Sequence, residues 1–240
     1  MAAPSDMITA TATITTPVTI TATAMTIITT TPEAARLRLA QYLSPAFPVG
    51  GFAWSQGLEH AMDRHAVTRS TLTVWLTDWL EHGAGWTDAV LIALSLHDDA
   101  DHAGLDDLAR ASCLTSERLT ETLEQGAAFA ANVSAIDRPL PPSALPVAFG
   151  RACAAMPLPR TELIAAWLQA QAAALISAAV RFLPLGPVEG QAMLAALQPA
   201  ILRTAARAAA ASHTDLHSAT WGADIAAMCH ETMQTRIFRS

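Results

Sequence analysis

The 240-residue chain contains no lysine; all 14 of its basic side chains are arginine. That absence excludes chemistries built on an ε-amino group, among them the phosphate-loop NTPases, the kinases and the Schiff-base enzymes. A basic excess is missing too. With 21 acidic side chains the net charge is −7, so no nucleic-acid partner is expected: there is no surplus charge to release counterions from phosphates. Charged residues are only 15% and apolar residues 52%, a balance that excludes disorder for the bulk of the chain. Cysteine is scarce. Cys113, Cys153 and Cys229 are odd in number, far apart and never in a CxxC pair, the pattern of a reducing compartment rather than of a disulfide framework or structural zinc site. The charged start of a signal peptide is absent as well, Arg36 being the first basic residue.

What is present reads as helix. Residues 1–32 are a low-complexity Thr/Ala/Ile stretch, expected to be a disordered extension, and residues 33–240 are expected to form one all-α domain. Pro32-Glu33 suits a helix start, with proline at the first position and a carboxylate near the positive end of the dipole; that helix should stop before Ser44-Pro45. Ser70 can cap a helix whose apolar face is Leu72, Trp75, Leu76, Trp79 and Leu80. Further helices are expected from Trp86 to Leu96, after Thr115-Ser116, and from Thr161-Glu162 onward. Pro139, Pro141, Pro142 and Pro146 make 137–146 a stiff connection. Beyond the break at Pro184–Gly190, helices fit 190–197, 199–211 and 218–234. The expectation is a single-domain helical bundle of about ten helices. The apolar run 163–183 is interrupted by Gln169, Gln171 and Ser177 and closed by Arg181, which favours a buried core helix over a membrane span.

Four constellations bear on chemistry. Residues 44–59 combine Pro45 and Pro48 with Gly50 and Gly51 and place Phe47, Phe52 and Trp54 beside the turn. This fits a core connector or a rigid aromatic docking element. A third reading takes Ala53–Gly57 as a loose nucleophile elbow around Ser55, hence a serine hydrolase. The second constellation is the acidic stretch His97-Asp98-Asp99-Ala100-Asp101-His102 with Asp106-Asp107. As a calcium loop it fails, with Ala103 at position five and Arg110 at position twelve; a transition-metal site from His97, His102 and carboxylates is a second reading, and a solvated loop between helices the favoured one. The third is the pair His213 and His217, which would share a face on a helix and suggest a nickel carrier, although nothing closes a ligand set around them. The fourth is the run from His230 to Ser240, with Ile237 and Phe238 among arginines. It reads as a tail that docks on a partner, or as one that closes its own bundle. Glu231 lies out of i,i+4 register with Arg236, which is therefore expected to point outward.

Two of these segments carry a resemblance. Ser44-Pro45 through Pro48-Val49-Gly50, then Phe52 and Ser55-Gln56-Gly57-Leu58-Glu59, resemble the N-terminal signature of the urease accessory protein UreF family. His230-Glu231-Thr232, then Arg236 and Phe238-Arg239-Ser240, resemble its C-terminal signature. Between them Glu121-Thr122, Gln125-Gly126, Pro146–Gly150, Ser177–Arg181 and Pro184–Gly186 stand in family-like order, so the resemblance covers about residues 36–240. Departures are Ala53, Trp54 (commonly Tyr), the Thr232–Thr235 run and Ile237 (usually Leu).

The resemblance implies a non-catalytic, all-α, cytoplasmic homodimer without a cofactor. Such a protein bridges a UreD/UreH-type scaffold and a UreG-type GTPase while nickel enters apo-urease, and acts on that GTPase through its contacts. The residues implied at partner surfaces are Pro48, Gly50, Phe52, Trp54, Ser55, Gln56, Glu59, His230, Glu231, Arg236, Phe238 and Arg239.

Overall fold

Helix starts in this chain are set by short polar caps and by proline. In the computed structural model, which describes residues 31–240, the Thr31 hydroxyl accepts from the Ala34 amide at 3.2 Å and Pro32 opens helix α1 (Pro32–Tyr42). The expected extension otherwise lies outside the described residues. Helices α2 (Leu58–Asp63), α3 (Leu72–His82) and α4 (Ala84–Ser95) follow. Thr71, not Ser70, is the residue preceding α3. Next come α5 (His102–Ala111), α6 (Ser116–Ile136), α7 (Leu145–Cys153), α8 (Arg160–Phe182), α9 (Pro187–Ala208) and α10 (Trp221–His230). Short 3-10 turns occupy Gly51–Ala53 and His213–Asp215, and no strand occurs among the described residues. The all-α expectation holds.

Three local expectations are corrected. The acidic stretch is not all loop: Asp101 accepts from the Gly104 amide at 3.0 Å and caps α5, which buries Leu105 and Ala109. Its Asp106 accepts from the Ala144 amide at 2.6 Å and pairs with Arg110. Pro146 does not only stiffen a connection but stands in the first turn of α7, a helix in which every residue but Arg151 is buried. Residues 190–211 are not two helices. Pro199 lies within α9, on its exposed side, where the carbonyl freed at exposed Ala195 faces water; buried Leu194, Leu197, Ala200 and Ile201 keep the helix continuous.

Helix α8 is the central strut. It lies along α9 and against α4 and α2, burying Leu163, Ile164, Trp167, Leu168, Ala172 and Ala179. By length and composition it could span a membrane, yet half of its apolar window is buried inside the bundle. A run of aromatic contacts crosses the core: Tyr42 to Phe129 at 5.4 Å, Phe129 to Phe149 at 6.1 Å, and Phe149 to Trp167 at 4.7 Å between ring centres. The Tyr42 hydroxyl donates to Asp137 at 2.9 Å, and burial above all pushes its pKa up to about 12.

Helix α6 meets the segment entering α7 with no gap. A Cβ at Gly126 would lie 1.9 Å from the Ser143 carbonyl oxygen, a backbone atom that cannot yield. Gly126→Ala should therefore lower stability by about 3 kcal/mol, at the upper end of overpacking effects, read as a drop in Tm. The thiols give a second check. Cys229 is exposed, Cys113 half-buried and Cys153 buried, and burial pushes the Cys113 and Cys153 thiols up. Iodoacetamide on the native protein should modify Cys229 first, with Cys153 reacting only after denaturant is added.

Candidate partner-docking site

The two segments that stood apart in the sequence form one interlocked unit. After the turn through Gly50 (φ 73°) and the Gly51–Ala53 3-10 turn, Trp54 is extended, Gln56 (φ 53°) and Gly57 (φ 78°) are left-handed, and α2 begins. Gly57 is required twice, by its φ and by its neighbour: a Cβ there would lie 2.4 Å from the Ala227 nitrogen of α10. That close approach brings the end of α10 beside α2, where His230 reaches Glu59.

His230 is fully buried. Its Nε2 lies 3.1 Å from Glu59 Oε2 and its Nδ1 2.8 Å from Glu117 Oε2. The same carboxylates hold the following segment. Glu59 Oε1 accepts from the Ile237 amide at 2.7 Å and Oε2 from the Phe238 amide at 2.9 Å, while Glu117 Oε1 accepts from Arg236 at 2.5 Å. The backbone closes the unit. The Arg239 amide donates to the Ala53 carbonyl at 2.7 Å, and the Ser55 amide to the Ser240 carbonyl at 2.9 Å. The Ser55 hydroxyl also donates to that carbonyl and accepts from the Glu59 amide.

Around this clamp, charges are paired and rings are covered. Glu231 accepts from the Ser116 amide and hydroxyl, both at 2.7 Å, capping α6, and the Ser116 hydroxyl first among these donors holds its pKa below the usual carboxylate range. Arg239 makes a bidentate pair with Glu124 and lies 4.3 Å over the Trp54 ring; that hydrogen bond lowers the Glu124 pKa. Arg181 lies 4.4 Å over buried Phe238 and donates to the Phe52 carbonyl at 2.9 Å. Beneath, Gln56 bridges Trp79 and Glu121. Arg118 pairs with Asp88 at 2.7 Å and Glu121 at 3.0 Å. Burial pushes the Asp88 carboxyl up; burial also opposes the Arg118 charge, but the two carboxylates outweigh it and raise the Arg118 pKa.

The UreF family model matches residues 67–198. The chain is 73% identical over 213 residues to the urease accessory protein UreF of Paracoccus denitrificans, covering 88% of this chain and 99% of that relative. The chain belongs to the urease accessory protein UreF family. It is also 53% identical over 210 residues to the UreF of Cereibacter sphaeroides, covering 87% of this chain and 100% of the relative. To the UreF of Roseobacter denitrificans it is 46% identical over 209 residues, covering 86% and 94%.

Within this UreF-family chain the implied partner residues divide by burial. Trp54, Ser55, Glu59, His230 and Phe238 are buried and Gln56 is half-buried; these build the clamp. Pro48, Gly50, Phe52, Glu231, Arg236 and Arg239 are exposed, as is Ile237. Two expectations for the tail are corrected. Arg236 is not free but paired with Glu117, and Phe238 finds its burial within its own chain. The first follows from α6, whose N-terminal turn was not seen from sequence to lie beside residues 230–240, and the second from Arg181 of α8 and Glu59 of α2, which hold the ring and the amide of Phe238. Ser55 is no nucleophile elbow: among the described residues no strand precedes it, and both its hydroxyl contacts are structural. His213 and His217 do not share a helix face, since one opens a 3-10 turn and the other lies past it with its ring 6.1 Å from Trp86. Glu117, Glu124 and Arg181 were missed as site residues. The signal for Glu117 was an acidic residue just after the Thr115 cap; for Arg181 it was the family-like order of Ser177–Arg181.

Removing the shared acceptor should undo the unit. Glu59→Ala leaves His230 without one carboxylate and the Ile237 and Phe238 amides without theirs, and should lower stability by roughly 3–5 kcal/mol. Phe238→Ala should lower it by about 3 kcal/mol while the helical circular-dichroism signal at low temperature stays near the wild-type value.

Proposed function

We propose that this chain is the UreF-type component of the urease maturation complex and acts without catalysis of its own. Residues 33–240 are the working domain. As a cytoplasmic homodimer it bridges a UreD/UreH-type scaffold and a UreG-type GTPase, holding them near apo-urease while nickel is delivered with GTP hydrolysis. Family membership supports the accessory role. The observation that carries the bridging role is the exposed side of the clamp: Phe52 is 66% and Ile237 62% exposed, although the backbone of each is held in place, the Ile237 amide by Glu59 and the Phe52 carbonyl by Arg181. Exposed apolar side chains on rigid backbone lose little entropy when a partner covers them. Arg236 and Arg239 beside them offer charge-assisted contacts at the rim.

The physical role is geometric. A rigid bundle changes a partner's nucleotide state only through contacts that differ between the states. The chain has no lysine and hence no phosphate-loop lysine, so GTP hydrolysis belongs to the partner.

The test is a double variant, Phe52→Ala with Ile237→Ala, co-expressed with the UreD/UreH-type and UreG-type proteins. Its Tm should stay within a few degrees of wild type, because neither side chain is buried. Its co-purification with the partners should fall, since loss of central anchors costs about 2 kcal/mol or more, roughly thirtyfold in affinity. Normal stoichiometry in the purified complex would remove these residues from the interface.

A further inference from the structure

Of the eight histidines, His230 alone is buried, and it is clamped between two carboxylates. Proton bookkeeping at this site is strict. Both oxygens of Glu59 already face amide donors, from Ile237 and Phe238, which only an ionised carboxylate satisfies fully. Glu117 faces the Arg236 guanidinium with Oε1 and the ring with Oε2. With both carboxylates ionised, each ring nitrogen must donate, so the ring carries two protons and a positive charge.

Other charged groups near the ring are already engaged. From α2 the ring meets Glu59 and from α6 it meets Glu117; Arg236 of the following segment reaches Glu117 and not the ring. Glu231, next to His230 on its own chain, is held by the Ser116 amide and hydroxyl.

We propose that His230 is a proton-operated latch for residues 236–240. With the ring doubly protonated, Glu59 and Glu117 are bridged and the segment lies docked. When the ring, which is fully buried, gives up one proton, a lone pair faces a carboxylate oxygen, and the bridge between two negative charges is lost. Relief requires water. The segment covering the site is held by those same carboxylates, and its Arg236, Ile237 and Arg239 side chains are already exposed, so it is the part that lifts. Docking is therefore linked to proton uptake. It is complete while the ring is charged and weakens as pH rises through the ring's titration; at acidic pH it fails again once the carboxylates themselves take up protons.

The test is hydrogen exchange by mass spectrometry on the full chain from about pH 6 to about pH 9, corrected for the intrinsic rate, with the ring followed by NMR over the same range. Amides of Ile237, Phe238 and Arg239 report docking, and the α8 peptide reports global stability. Between the pH at which the ring titrates with the segment lifted and the higher pH at which it titrates docked, tail protection should fall by up to about tenfold per pH unit, the slope of a one-proton linkage, while α8 protection stays level. In Glu117→Gln a neutral ring can donate to Glu59 and accept from the new amide, so the slope should flatten. His230→Gln should show no slope either, with its helical content checked by circular dichroism. Tail protection that is level with pH in the wild type overturns the latch. So does a ring that does not titrate in this range, a tail and α8 that lose protection together, or a Glu117→Gln variant that keeps the wild-type slope.

Discussion

The buried contact of His230 with Glu59 and Glu117 is the constraint on which the candidate site depends. One imidazole joins α10 to α2 and α6, and the two carboxylates it bridges are the ones that hold Arg236 and the amides of Ile237 and Phe238. Charges in such a site are tolerated only when every polar atom is matched, and here each carboxylate oxygen has a donor. The matching spans four separate stretches of chain, so the geometry exists only when all four are in place.

This arrangement explains why so many residues of the two signature segments are buried. Ser55, Glu59, His230 and Phe238 fix the backbone that displays Phe52, Ile237 and the flanking arginines. Gly57 belongs with them, because only a residue without a side chain lets the turn approach the backbone of α10. Cation–π contacts from Arg181 and Arg239 seal Phe238 and Trp54 and leave the outer face polar at its rim and apolar at its exposed points.

Much of this was legible one segment at a time. Caps and proline positions marked the starts of α1 and α6, and apolar spacing marked α3, α4 and α8, because those signals act within a turn or two of helix. Helices α5 and α7 escaped for different reasons. In α5 the acidic residues that suggested a solvated loop serve as a cap and a cross-link, and α7 is short and has in its first turn Pro146, the last of a run of prolines that read as a connection. The split assigned at Pro199 failed because burial on one face of α9 outweighs one missing hydrogen bond on the other.

Composition and spacing alone established an all-α chain without lysine chemistry, and the pair of signature segments pointed to the family. Both depend on residue type and local order, which a sequence displays directly. Only the tertiary structure decided that the segments around residues 50 and 235 are one object, that Arg236 and Phe238 turn inward to Glu117 and Arg181, and that Ser55 is a strut. Those facts rest on contacts between residues more than fifty positions apart. The register of such contacts is set by how α2, α6, α8 and α10 pack, and no local pattern encodes it.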